Sequence, residues 1–283
     1  MLVGLIGAGI QRSLTPAMHE EEARAQGLKL HYQLIDLDAV RAGADKLPVL
    51  IEAARIMGFA GLNITYPCKQ AVIPLLDELS AEAQAMGAVN TVVFREGRAI
   101  GHNTDGSGWA WGFQRTLPDA DLSRVVLLGA GGAGSAIAHA VLRLGARQLV
   151  IVDREAARAE ESAAALSVHY GAGRVSADVD PARALQAASG LIHATPTGMD
   201  KLPGLPLPAE LLRPDLWVAE IVYFPLDTAL LQAARAKGCA TVDGGTMAVG
   251  QAIGAFELFT GRPAEAARVE AHFRRLLEQR RAA

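Results

Sequence analysis

A chain of 283 residues accommodates two domains at roughly 100–200 residues each, and a composition of 51% apolar and 20% charged residues excludes a disordered chain. The net charge of -3 leaves no basic footprint for nucleic acid or for an anionic membrane surface. Two cysteines far apart, Cys68 and Cys239, argue against a disulfide framework and fit a reducing cytoplasm, and the seven histidines are too scattered for metal-ligand spacing.

Along the chain, short apolar runs alternate with helical patterns. The first, MLVGLIGAGI, has no basic lead segment and reads as a strand over 2–6, not as a signal peptide. Strands are predicted again over 31–37 and 60–65, with helices over 16–26 and 47–57 that stop at Gly27 and Gly58. Thr15 is expected at the cap of the first helix, with Pro16 as its first helical residue. A boundary falls near 103–108, before a helix carrying Trp109 and Trp111. A second series has strands over 125–128, 148–152, 190–194, 217–221 and 241–242, separated by helices over 133–144, 154–166 and 227–237. Its uncharged stretch, 125–138, is glycine-rich and shorter than the ~20 residues of a membrane helix. Residues 201–208, with three prolines, form a loop, and helices near 245–259 and 263–280 close the chain. This alternation implies α/β architecture with parallel strands, the second series forming a doubly wound unit the size of one nucleotide-binding domain.

The strand over 125–128 runs straight into Gly129-Ala130-Gly131-Gly132-Ala133-Gly134 and a helix, the context in which such a turn binds a dinucleotide. Gly129 permits the tight turn, Gly131 lets the backbone approach a pyrophosphate, and Gly134 lets the helix pack on the strand. The helix N-terminus attracts the phosphates. Gly7 and Gly9 show how readily such fragments occur outside that context. Asp153 ends the next strand about 20 residues on, where the ribose hydroxyls are read. Its carboxylate accepts hydrogen bonds from a free diol and repels a 2′-phosphate, which favours NAD; it also stands where it can cap the following helix. Arg154 and Arg158 keep NADP as the alternative, because an arginine here can pair with a 2′-phosphate or stack on adenine.

The first half carries polar clusters at its strand ends: Ser13-Leu14-Thr15-Pro16, Asn63-Ile64-Thr65-Tyr66-Pro67-Cys68-Lys69, Asn90-Thr91 and Asn103-Thr104-Asp105-Gly106. Open α/β sheets bind ligands at these ends. Taken in order with Gly87-Ala88-Val89, the glycine turn, Ala194-Thr195-Pro196-Thr197-Gly198-Met199 and Asp243-Gly244-Gly245-Thr246-Met247 with Gln251, the clusters resemble the shikimate dehydrogenase family over nearly the whole chain. The ordered set is far more specific than any one element. Thr15 in place of a second serine, and Asp153 in place of an asparagine, look like the NAD-linked quinate/shikimate dehydrogenase branch.

The resemblance implies two domains: an N-terminal α/β substrate domain, residues 1–105 completed by 246–283, and a doubly wound Rossmann-type cofactor domain, residues 106–245, with the active site in the cleft between them. It implies a cytoplasmic enzyme, monomer or homodimer, without a metal, that transfers hydride reversibly between NAD(P) and a ring hydroxyl of a small molecule, shikimate or quinate. Lys69 and Asp105 become the catalytic pair, Lys69 as general acid and base. Ser13 and Thr15 bind the substrate carboxylate, Thr65, Asn90, Asp105 and Gln251 bind ring hydroxyls, and Asn63 and Tyr223 lie at the substrate. Thr195 and Met199 flank the nicotinamide, and Gly244 joins the cofactor residues.

A free lysine titrates near ~10.4, so a lysine base near neutrality needs burial or a helix N-terminus against its charged form. Asp105 acts in the other direction and orients the amine. Taken singly, these residues have plainer uses: Ser13, Thr15 and Asp105 as caps, Asn63 and Asn90 as turn supports, Lys69 as a solvated lysine. Only the joint pattern favours the chemistry. A dehydrogenase of a related cyclic acid such as an aminoshikimate would share the same polar set. A non-catalytic cofactor-binding regulatory homologue would not need both Lys69 and Asp105.

Overall fold

In chain order the elements are β1 (Leu2–Gly7), α1 (Thr15–Ala25), β2 (His31–Asp36), α2 (Leu47–Ile56), β3 (Phe59–Ile64), α3 (Cys68–Ala71), β4 (Glu78–Leu79), α4 (Ala81–Met86), β5 (Thr91–Arg95), β6 (Arg98–His102), α5 (Thr104–Thr116), β7 (Arg124–Leu128), α6 (Gly132–Arg143), β8 (Gln148–Val152), α7 (Ala156–Tyr170), β9 (Val175–Asp178), α8 (Pro181–Leu185), β10 (Gly190–His193), β11 (Trp217–Glu220), α9 (Ala229–Ala236), β12 (Ala240–Val242), α10 (Gly245–Thr260) and α11 (Ala266–Ala282). The computed structural model describes residues 1–282, with side chains through residue 280. Its contacts divide the chain into two units, residues 1–104 with 249–283 and residues 105–248, each built on one six-stranded sheet.

The sheet of the first unit has the order β2-β1-β3-β5-β6-β4. Both faces of β1 are covered: Val3 and Leu5 pack with Tyr32, Ala255 and Phe259, while Ile6 packs with Leu62, Ile64 and Val92. Burial on both faces explains why β1 reads as a continuous apolar run rather than an alternating one. α11 is fastened to α1 through Glu22, whose oxygens accept from Arg268 Nε and Nη2 at 2.7 and 2.9 Å and from the Glu265 N–H at 2.9 Å. Burial works to raise the pKa of Glu22, but these donors and Gln26 outweigh it and hold the carboxyl below its usual range.

The first sheet is mixed, where the alternation in the sequence implies parallel strands. β1, β2 and β3 are parallel, but β5 runs antiparallel to both β3 and β6. β5 and β6 form a hairpin through a two-residue turn at Glu96-Gly97, both with positive φ, 52° and 76°. Two positive φ values in succession match the right-handed twist of a hairpin. Thr15 also lies one position further into α1 than the cap position expected from the sequence. Leu14 is the cap residue, without a side-chain capping bond, and Thr15 is the first helical residue, its N–H donating to Ser13 Oγ at 3.3 Å.

The sheet of the second unit has the order β12-β11-β10-β7-β8-β9, parallel throughout. Counted within the unit, this is the 3-2-1-4-5-6 order of the Rossmann fold, with the strand order reversing between the neighbours β7 and β10. Alternate residues serve two cores. Val125, Leu127, Ile151 and Ile192 pack with Ile137, Val141 and Leu166 of α6 and α7, and with Trp109 and Phe113 of α5. Val126, Leu128, Leu191 and Val218 pack with Leu185, Leu230 and Ala234 of α8 and α9. Among the described residues no helix is long and apolar enough to cross a membrane, no group of His, Cys, Asp and Glu could hold a metal, and Cys68 and Cys239 are free and buried.

Candidate functional site

At the strand ends of the first sheet, a two-residue hub organises the polar clusters. The Val89 N–H donates to the Lys69 carbonyl at 2.9 Å, and the Asn90 carbonyl accepts from the Ile64 N–H at 2.7 Å. Asn90 Oδ1 accepts from the Thr104 N–H at 2.7 Å, and its Nδ2 donates to Thr104 Oγ1 at 2.9 Å. The backbone of Lys69 and that of Thr104, the residue before Asp105, are thereby fixed by adjacent residues. Lys69 lies in the single turn of α3, after Pro67, and is half-buried; Asp105 lies in the first turn of α5 and is buried. Asn103 supports the same loop through its amide, which donates to the Ala88 carbonyl at 3.0 Å.

Asn63 is accounted for within the protein. Its Oδ1 accepts from Tyr32 Oη at 2.7 Å, and its Nδ2 donates to Thr91 Oγ1 at 2.9 Å and to the Asn90 carbonyl at 3.3 Å. It is 4% exposed, so its amide serves to hold β3 against the hub. Thr65, at the end of β3, is half-buried, as are Ser13, Thr15 and Gln251 of α10.

In the second sheet the glycine turn joins β7 to α6. Gly129 has φ 102°, and a Cβ there would stand 2.7 Å from the Ala194 carbonyl oxygen. A Cβ on Gly134 would stand 2.1 Å from the Gly129 carbonyl oxygen, so only glycine lets α6 start this close to the strand. Gly131 and Gly132 are exposed and a Cβ on either would meet nothing, which leaves the N-terminus of α6 open to a pyrophosphate. Asp153 secures the turn: one carboxylate oxygen accepts from the Ala130 N–H at 2.9 Å and the other from the Glu155 N–H at 3.0 Å. Glu155, not Asp153, is the cap residue of α7. Arg154 is exposed, and Arg158 is ion-paired with Glu155 at 2.9 Å. Turn, open helix end and acidic strand end fit a dinucleotide.

The loop after β10 carries Thr195 and the 42%-exposed Met199, and the loop after β11 carries the 42%-exposed Tyr223. Gly244 packs against that second loop; a Cβ on it would stand 2.5 Å from the Ile221 and Val222 carbonyl oxygens. Two residues that no sequence motif singles out sit at the base of these loops. His193 and Glu220, the last residues of β10 and β11, bond to each other at 2.8 Å with both side chains fully buried. The signal is visible in the sequence as a charged or titratable residue ending each of two apolar strands, Gly190-Leu191-Ile192-His193 and Trp217-Val218-Ala219-Glu220.

Fold and turn define a dinucleotide-binding α/β protein of the Rossmann class, joined to a second α/β unit with polar strand ends. Residues 5–92 match the family model described as the shikimate dehydrogenase substrate binding domain. The shikimate dehydrogenase (NADP(+)) of Streptomyces avermitilis is 59% identical, over 95% of this chain and 93% of its own. The quinate/shikimate dehydrogenase (NAD(+)) of Corynebacterium efficiens is 48% identical, over 96% of this chain and 97% of its own. The solved quinate dehydrogenase from Corynebacterium glutamicum, in complex with NAD, superposes with a TM-score of 0.92 at 45% identity, covering 96% of this chain and 98% of that one. The chain belongs to the shikimate dehydrogenase family.

Proposed function

We propose that this protein catalyses reversible, NAD(P)-dependent oxidation of a ring hydroxyl of shikimate or quinate, giving 3-dehydroshikimate or 3-dehydroquinate, with Lys69 moving the proton. The observation that carries this is the Val89–Asn90 hub, which anchors Lys69 and the residue before Asp105 from adjacent positions. A surface lysine and a chance helix cap would not call for a shared, buried anchor. Family membership supports it, since relatives on both the shikimate and the quinate side span nearly the whole chain.

When bound, the nicotinamide dinucleotide supplies the hydride acceptor. In oxidation Lys69 Nζ takes the hydroxyl proton, and in reduction it returns it, a contribution typically worth about 10²–10⁴-fold. Asp105 is its catalytic partner and, with Thr65, Asn90 and Gln251, binds the ring hydroxyls. Ser13 and Thr15 donate to the substrate carboxylate, and Tyr223 lies at the substrate. Asn63 acts through Asn90 and Thr91 as a positioning residue. Backbone N–H groups of Gly131 to Gly134 hold the pyrophosphate, Thr195 and Met199 flank the nicotinamide, and Gly244 shapes the loop beside them.

NAD is the preferred cofactor. Each Asp153 oxygen accepts one backbone N–H and keeps a lone pair for a ribose hydroxyl, while its charge opposes a 2′-phosphate. Arg158 is engaged by Glu155. The enzyme acts in the cytoplasm as a monomer or homodimer. Initial rates of nicotinamide reduction with shikimate and with quinate, each with NAD and with NADP, test the proposal. Turnover with at least one substrate, faster with NAD, is expected; no turnover in any of the four combinations overturns it.

A further inference from the structure

One imidazole and one carboxylate lie fully buried beside an apolar core cluster of the second unit. His193 and Glu220 are register partners on the parallel strands β10 and β11. By strand alternation they share a face with Leu191 and Val218. Desolvating such a pair costs several kcal/mol, and aliphatic side chains of similar volume would pack there without that cost. The pair is therefore to be explained by what it holds.

Three groups donate to the Glu220 carboxylate: the N–H of Ile221 at 2.9 Å and the N–H of Val222 at 3.0 Å to Oε1, and Thr228 Oγ1 at 3.0 Å to Oε2. His193 Nδ1 stands 2.8 Å from the same Oε1. A carboxylate surrounded by donors is ionised and only accepts, which assigns the imidazole proton to Nδ1. In a neutral imidazole Nε2 is then an acceptor, and the group placed at Nε2 is the Thr195 hydroxyl. The Thr197 N–H donates to the same hydroxyl oxygen at 3.3 Å. Thr195 has thus committed its proton to His193 and has only a lone pair left to offer.

We propose that Glu220 and His193 are positioning residues that fix Thr195 as a hydrogen-bond acceptor for the carboxamide N–H2 of the nicotinamide. This rests on the reading that Thr195 flanks that ring. A carboxamide presents N–H donors on one edge and a carbonyl on the other; an acceptor-only oxygen selects the N–H edge and disfavours a ring substituent without N–H. The same carboxylate ties the loop after β11 to the cap of α9, because Thr228 Oγ1 also accepts from the Leu231 N–H.

The test compares, by calorimetry, the dissociation constants of the nicotinamide dinucleotide and of its 3-acetylpyridine analogue, which carries a methyl where the amide carries NH2. The unaltered protein is expected to bind the analogue about tenfold more weakly. Thr195→Val and His193→Leu should each bring the ratio of the two constants close to one. A merely structural role for His193 would weaken both ligands alike and leave the ratio unchanged, which overturns the proposal. If Thr195→Val changes the ratio and His193→Leu does not, the pair has no hold on the hydroxyl, while Thr195 stays at the ring. If neither changes it, Thr195 is not at the ring and both readings fall. Should His193→Leu not fold with Glu220 left unpaired, the double variant His193→Leu, Glu220→Leu replaces it. Nitrogen NMR of the unaltered protein is a further check: a protonated Nδ1 and a bare Nε2 on His193 are expected, and a protonated Nε2 overturns the assignment.

Discussion

The two sheets solve the same problem, a precise strand end, with different materials. In the first unit the strand ends are set by side chains: the amides of Asn63, Asn90 and Asn103 reach across to carbonyls, hydroxyls and N–H groups of neighbouring segments. In the second unit the end of β7 depends first on the absence of side chains, since Gly134 works by leaving room for the Gly129 carbonyl, with one carboxylate, Asp153, accepting from the turn. A network of amides can be weakened one bond at a time, whereas a steric contact fails as soon as one methyl is added. Each unit is therefore brittle at a different kind of contact, and substitutions should expose this in a definite order of effect.

The largest effect belongs to the steric contact. Gly134→Ala would place a methyl 2.1 Å from the Gly129 carbonyl oxygen. It should weaken dinucleotide binding about hundredfold, or ~2.7 kcal/mol, and lower the melting temperature. Gly131→Ala meets nothing in the protein, so calorimetric titration should show weaker binding with an unchanged melting temperature. If both variants melt like the parent, the turn is not built on steric exclusion.

Next comes the amide network. Asn63→Leu strands the Tyr32 hydroxyl in a buried site and takes one donor from Thr91 Oγ1, which still donates to Asn90 Oδ1, and urea unfolding should show a loss of about 2 kcal/mol. The KM for the cyclic acid should change less than about threefold, because in a positioning role the amide does not touch it. A large rise in KM with unchanged stability would put Asn63 at the substrate instead.

Asp153 has a smaller, sharper effect. In Asp153→Asn the carboxylate charge is gone while one oxygen remains to accept from the turn. The ratio of kcat/KM for NADP over NAD should rise about tenfold, or ~1.4 kcal/mol. No change in that ratio would give cofactor choice to the exposed Arg154.

The smallest effect is a pH dependence inside the first core. His19 is 1% exposed, stands among Tyr32, Phe256 and Phe259, and both its ring nitrogens lack a partner. Burial lowers its pKa to about 3. Because the folded-state value lies below the unfolded one, the unfolded chain takes up the proton first. Stability is therefore lost as pH falls from about 6.5 toward 3. Between pH 7 and 5.5 this amounts to about 1 kcal/mol. His19→Leu should flatten that interval of the stability profile by the same amount; an identical slope would show that the imidazole is solvated.

Legibility in the sequence followed the same division. The steric device was readable because its residues are consecutive: strand, six residues of turn and helix all lie within 124–143. The side-chain device was readable only as an ordered set, because Asn63, Asn90 and Thr104 come together through β3, β5 and β6 rather than through spacing. The antiparallel hairpin itself was hidden. Its turn is two residues, and only Gly97 of the pair signals positive φ, Glu96 being an unusual occupant. The pairing of His193 with Glu220 was hidden for a related reason: each is visible as a polar strand end, but only register places them side by side.

In the proposed reaction the amine of residue 69 moves the proton of the reacting hydroxyl. Steady-state kinetics of Lys69→Ala with shikimate and with quinate, alongside the parent, test this role. A kcat reduced by about 10²–10⁴-fold, with KM nearly unchanged, is the predicted result. A turnover number equal to that of the parent would contradict it.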